Sequence, residues 1–305
     1  MLRGIGGFCA KPNPPSKPAM RGGVRDEWYA SSGTRRSGKL DSTVVSDRLE
    51  LKESLTVFFP CYNDAGTIGT LVAGAHVVGK RSGRELEILV IDDGSQDSSR
   101  EVLEELKLRY PELKTVYHEG NRGYGAALRS GFENATKELV FYTDGDGQYD
   151  VLELEKLLPV MQDGVDIVNG YKISRSDPWH RIIIGEIYIL LMRLLFRFRV
   201  RDVDCDFRLI RRRALQTLSL RHSSGVICLE LVRKLELAGF RFVDYPVHHY
   251  HRAYGRSQFF NFRRLLVTGL NIFRLWWELH VQRDTPRGIA YPKREEPGRG
   301  SPRKP

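Results

Sequence analysis

Short apolar runs at residues 55–59, 86–91, 113–117, 139–143 and 165–169 alternate with helical patterns over 67–80, 98–109, 125–135 and 151–161. No other property of the chain limits its fold so strongly. Parallel strands need a long crossover between them, and a helix is the usual one, so such an alternation covers both faces of a sheet. The chain is therefore expected to be α/β, with a Rossmann-like, mostly parallel sheet. Pro60 is expected to stop the first strand and Pro111 to end the second helix, because proline has no amide to donate. Beyond residue 170 the pattern changes. A long apolar helix over 179–198 is followed by a strand at 207–210, a helix over 226–238 closed by Gly239, and a strand at 240–247. A basic, aromatic loop at 248–257 leads to a last helix over 259–280. The implied boundaries are a disordered basic tail over 1–50, a sheet domain over 51–258, an amphipathic helix over 259–282 and a second basic tail over 283–305.

Charge is concentrated in those tails. The chain carries +10 overall, of which residues 1–50 and 283–305 contribute +4 each. The core is thus nearly neutral, which argues against nucleic acid as its partner; basic tails suit solubility or an anionic membrane surface. Cys9, Cys61, Cys205 and Cys228 are scattered. That spacing excludes a zinc ribbon or disulfide framework and fits a reducing cytosol. The most apolar stretch, 182–198, is interrupted by Glu186, Arg193 and Arg197, which makes it a poor membrane span.

Each of the first four runs ends in a loop with chemical content. These are Pro60-Cys61-Tyr62-Asn63-Asp64, Asp92-Asp93-Gly94-Ser95, Asn121-Arg122-Gly123-Tyr124-Gly125 and Asp144-Gly145-Asp146-Gly147-Gln148. Singly, each reads as a turn. In a parallel sheet all four meet at one edge, where open α/β sheets bind ligands. Asp144, Asp146 and Gln148 offer hard oxygen donors suited to Mg²⁺ or Mn²⁺ shared with a diphosphate. An EF-hand loop is the rival reading of that stretch, but Tyr149 stands where the loop needs glycine, and a strand precedes it.

In order and spacing these four motifs resemble those of the family 2 inverting glycosyltransferases, which have the GT-A fold. The resemblance covers residues 55 to about 170. Asp204-Cys205-Asp206-Phe207-Arg208, Pro246 and Arg252-Ala253-Tyr254-Gly255-Arg256-Ser257 extend it, more loosely, to the dolichyl- or polyprenyl-phosphate mannose synthase branch. It implies a nucleotide-sugar donor bound by Pro60, Tyr62, Asp64, Asp92, Asp93, Asn121, Gly123, Gly125 and Asp144. Asp64 stands where the family usually has Glu. It also implies free amides at the start of the third helix, favouring an anion, and a divalent ion on Asp144, Asp146 and Gln148. No Gln-x-x-Arg-Trp motif is present, which speaks against a processive synthase.

The acceptor side is less strongly marked. Arg181, Arg208, Arg252, Arg256 and Ser257 are expected to bind an acceptor phosphate, since guanidinium forks suit phosphate; Arg175 is expected to be solvated. If the acceptor is a hydroxyl a general base is needed, and Asp206 or Glu230 is the candidate, although Glu230 also reads as a salt-bridged helix residue. Chemistry is thus expected from Asp146, Asp206, Arg208 and Glu230. His248, His249 and His251 read as part of a basic acceptor loop, not as a zinc site. Arginines and aromatics on the 179–198 and 259–280 helices suit either packing on the sheet or a peripheral place on the cytoplasmic membrane face, directly or through a membrane-anchored partner subunit. The favoured acceptor is a polyprenyl phosphate. The alternatives are a saccharide hydroxyl and, from another class, a non-catalytic nucleotide- or cation-binding module.

Overall fold

The computed structural model describes residues 52–174, 190–251 and 262–282. The expectations for residues 1–50 and 283–305 lie outside them, as do Arg175, Arg181, Arg252, Arg256 and Ser257. One sheet organises the described chain, in the order β3-β2-β1-β4-β6-β5-β7. Strands β1 (Leu55–Cys61), β2 (Leu86–Asp92), β3 (Leu113–Tyr117) and β4 (Leu139–Thr143) are mutually parallel. Strand β6 (Phe207–Arg211) runs antiparallel between β4 and β5 (Ile167–Ser174), and β7 (Phe242–His248) closes the edge parallel to β5.

The helices α1 (Ile68–Ser82) and α2 (Ser99–Arg109) cover one face, and α3 (Tyr124–Asn134) and α6 (Val226–Leu237) cover the other. Two short helices, α4 (Leu154–Leu157) and α5 (Arg212–Leu215), lie between α3 and α6 in sequence. Leu55, Val57, Phe59, Ile88 and Val90 point to the first face, whereas Phe58, Leu89 and Ile91 point to the second. Such continuous apolar runs are what a sheet buried on both faces requires. Residues 190–196 and α7 (Phe262–His280) form a third cluster against α6, through Met192, Phe196, Ile272, Leu275 and Leu279.

Four boundaries differ from expectation. Pro60 lies inside β1, opposite Ile91. The β1–β4 ladder has already ended at Phe58, so the missing amide costs no bond there. Strand β5 runs five residues past Asn169 because β7 pairs with it. The helix expected over 151–161 is broken into two 3₁₀ turns around α4, with Pro159 in the second. The helix expected to reach residue 198 stops at 196, where Arg197 takes a positive φ of 55°.

Candidate active site

The ends of β1, β2 and β4 and the loop after β3 converge, and the tightness of that convergence explains their glycines. A Cβ on Gly145 would strike the Pro60 carbonyl and lie 3.1 Å from Asp64 Oδ2. A Cβ on Gly94 would meet the backbone of Gly120 and Asn121. The first loop is further tied to the second: Asn63, at φ 57°, donates its amide to Ser95 Oγ and accepts from Gln96 N through its side chain. Asp64 Oδ2 accepts from Tyr62 N, and Asp64 N donates to Ser99 Oγ. Tyr62 is half-buried at the rim and Asn121 is exposed.

Asp92 and Asp93 depart from expectation. Both are buried. Asp92 accepts from Arg100 Nε at 2.7 Å and from Ser95 N. Asp93 Oδ1 faces His118 Nδ1 at 2.7 Å and accepts from Arg122 N, while Oδ2 accepts from Gly123 N at 2.9 Å. The carboxylate therefore clamps the glycine loop and does not stand open to a nucleoside. The expectation of free amides at the start of α3 is corrected likewise. Gly123 N is held by Asp93, and Gly125 N donates to Ser223 O at 2.8 Å. The sequence reading missed His118, which also reaches Ser130 Oγ through its other nitrogen.

At the end of β4 the carboxylates crowd. Tyr124 donates its hydroxyl to Asp144 Oδ1 at 2.6 Å. Burial, then the neighbouring Asp206 and Asp146 carboxylates, push the Asp144 carboxyl well above its usual range. Such a cluster calls for positive charge. Within the chain Lys172 contributes some: burial opposes its charge, but Asp202, Asp204 and Asp206 more than compensate and raise its pKa. Asp146 is buried and holds the turn by accepting from Gln148 N, with Gly147 at φ 74°. The donor set is all oxygen, which fits a hard divalent ion. Among the described residues no three acidic, His or Cys side chains form a ready-made cage. The residues thus suit a cation that a diphosphate shares, with much of its shell left to the ligand.

The acceptor-side residues divide. Asp206 faces the cluster, 14 % exposed, with Oδ1 near Tyr142 OH, Arg208 Nη1 and Cys228 Sγ. Arg208 is not open to solvent. It is fully buried in β6, donating to Asn169 Oδ1, Tyr142 OH, Asp206 Oδ1 and the Val203 carbonyl. It is corrected from phosphate binder to the residue that holds Asp206 and Tyr142 in place. Glu230 is corrected too. It is buried on α6, accepts from the amides of Arg221 and His222, and pairs with Lys234 at 2.9 Å. A base needs a free, accessible oxygen, and Glu230 instead braces the loop against which Gly125 packs. Gln148 fastens the other wall: its side-chain amide donates to the Tyr250 carbonyl, and Tyr250 N donates back to Gln148 O. His248 is tied to Glu153 and His249 packs edge-on against Tyr149.

Comparison with solved structures places this architecture among known ones. Glucosyl-3-phosphoglycerate synthase from Mycobacterium tuberculosis, solved with Mn²⁺, uridine diphosphate and glucosyl-3-phosphoglycerate, superposes with a TM-score of 0.55 at 15% identity, over 79% of this chain and 86% of that one. Mannosyl-3-phosphoglycerate synthase from Rubrobacter xylanophilus gives 0.53 at 18% identity, over 80% of each chain. A mannosyltransferase from Pyrobaculum calidifontis, solved with GDP-mannose and Mn²⁺, gives 0.52 at 18% identity, over 76% of this chain and 65% of that one. At such identities the likeness establishes the fold, which is GT-A-like. The family follows from the sequence model described as glycosyl transferase family 2, which matches residues 56–219. With more than half of the chain inside that match, this protein belongs to glycosyl transferase family 2.

Proposed function

We propose that the protein transfers a hexose from a GDP- or UDP-sugar to a polyprenyl phosphate, with inversion in one displacement. The observation that carries this reading is the junction at Gln148. The reciprocal Gln148–Tyr250 bonds pin the start of the basic loop against the Asp144–Gln148 turn, so the donor diphosphate and an acceptor phosphate would meet there. Solved neighbours were captured with uridine diphosphate, GDP-mannose and Mn²⁺, which supports the donor class.

In this reading Asp144 and Asp146, with Gln148 beside them, hold Mg²⁺ or Mn²⁺ on the diphosphate. The ion supplies Lewis acidity that neutralises charge developing on the leaving group. Tyr124 fixes Asp144 for that task, and Asp64 and Tyr62 border the nucleoside. The acceptor oxygen attacks the anomeric carbon from the face opposite the diphosphate. One C–O bond forms as the other breaks, and the electron pair leaves on the phosphate. A phosphate acceptor is already ionised, so no base is needed. Arg252, Arg256, Ser257 and Arg181 are proposed for its phosphate, and the site is proposed to work at the cytoplasmic membrane face, directly or through an anchored partner subunit.

A saccharide hydroxyl is the second reading. It is favoured by the partly exposed Asp206 carboxylate, which Arg208 holds beside the cluster as a base would have to be held. Radiolabelled transfer from a panel of GDP- and UDP-sugars into a lipid extract with Mn²⁺ separates the two. Label in the organic phase supports the polyprenyl acceptor; label confined to the aqueous phase sinks it in favour of the hydroxyl. A non-catalytic module would give no transfer at all and would be indifferent to Asp146→Ala.

A further inference from the structure

Helix α7 is apolar on two opposite faces. Successive residues turn by about 100°, so Ile272, Leu275 and Leu279 share the arc that packs on α6 and residues 192–196. The opposite arc presents Val267, Leu270, Phe273 and Trp277, and Val281 extends it past the helix end; Leu270 and Phe273 are 62% and 60% exposed. The neighbouring segment repeats the arrangement. Met192 and Phe196 turn inward, while Leu190, Leu191 and Leu194 turn out, Leu194 being 70% exposed. Of the thirteen large apolar side chains exposed among the described residues, seven lie on these two elements and an eighth, Val281, directly follows α7. Scattered exposed leucines need no explanation, whereas a concentrated face does.

Charge identifies the occupant. Arg193, Arg197, Arg199, Arg201 and Arg274 are all exposed on or beside these elements. The one acidic residue within 190–201 or 262–282 is Glu278, which is buried and bonded to Arg274. The chain then continues into residues 283–305, with seven Lys or Arg against three Asp or Glu. A second copy docked on this face through a two-fold axis would set arginines against arginines with no carboxylate between them. An anionic bilayer satisfies both features, taking the apolar arc into the acyl boundary and the arginines at the headgroups. We infer that the outer face of α7, together with residues 190–194, is a docking surface for anionic lipid bilayers. This goes beyond the acceptor proposed above and does not depend on it: an enzyme with a water-soluble acceptor would dock in the same way.

The test is flotation of the full chain with vesicles of phosphatidylcholine alone or with about 30% phosphatidylglycerol. The protein should float with the anionic vesicles and be released as salt is raised. A Phe273→Glu/Trp277→Glu chain should lose binding by about tenfold or more, because two large apolar groups leave the membrane, and should keep its melting temperature in solution. Absence of flotation by the unaltered chain overturns the inference. So does a dimer in solution that the double substitution dissociates, which assigns the face to a second copy. A marked fall in the variant's melting temperature also overturns it, since those side chains would then be covered within the fold. Lipid-phase transfer that persists without flotation would refute this surface and spare the acceptor, and the reverse result would do the opposite.

Discussion

An Asp146→Asn chain keeps an oxygen to accept from the Gln148 amide, so its turn should persist while the negative charge is lost. Transfer should fall by about a hundredfold or more, with Mn²⁺-dependent nucleotide binding weakened and the melting temperature little changed. Unaltered transfer would remove Asp146 from the metal site. Glu230 should behave in the opposite sense. Glu230→Ala takes the carboxylate from the buried Lys234 ammonium, which keeps the Ser219 carbonyl, and from two loop amides; this should cost about 3 kcal/mol of stability, read by urea unfolding. If Glu230 were instead a base, its loss would abolish turnover without that penalty. These two carboxylates look alike in sequence and differ only in their partners. The Glu230 partners include backbone amides eight and nine residues back, and the Asp93 partners lie up to thirty residues away. No spacing rule reveals such pairings. Asp144, Asp146 and Gln148 could be proposed from sequence because their spacing is local.

At the scale of elements, the strands were legible wherever both faces are buried, because burial writes an unbroken apolar run. The far half of β5 was not, since its partner β7 lies some seventy residues downstream. Strand β2 carries a titration of its own. Burial opposes ionisation of Glu87, but Lys114, Thr56 and both Thr136 groups hydrogen-bond it and hold its pKa below the usual value. A depressed carboxyl stabilises fully above its unfolded pKa, near 4.5, and the contribution fades as pH falls through the folded value. The melting temperature gap between the native chain and Glu87→Gln should therefore be fully open above pH 4.5 and narrow as the pH falls below it. A constant gap would assign the effect to packing. The start of α3 offers a conformational test. Gly123 holds φ 92°, and a Cβ there would sit 2.6 Å from Ser223 O. Gly123→Ala should cost about 1–3 kcal/mol and weaken nucleotide binding, because the Asp93 clamp closes on that residue.

Across the whole molecule, the chain divides into Met1–Leu49 and Glu50–Pro305. Glu50–Pro305 contains every residue assigned to the donor, so a chain beginning at Glu50 should bind nucleotide with Mn²⁺ within about twofold of the full chain; calorimetry would read this, and a larger loss would give the first segment a share in the site. The direction of β6 has a broader consequence. The loops that carry the proposed donor residues leave the sheet after β1, β2, β3 and β4. Strand β6 runs the other way, so Asp206 reaches the same edge from the segment that enters the strand. The entry segment Asp202–Asp206 therefore stands beside the end of β4 without belonging to any of the loops that follow β1 to β4. Substitutions confined to that entry segment should then alter how the proposed acceptor is met while leaving the backbone of the four donor loops in place.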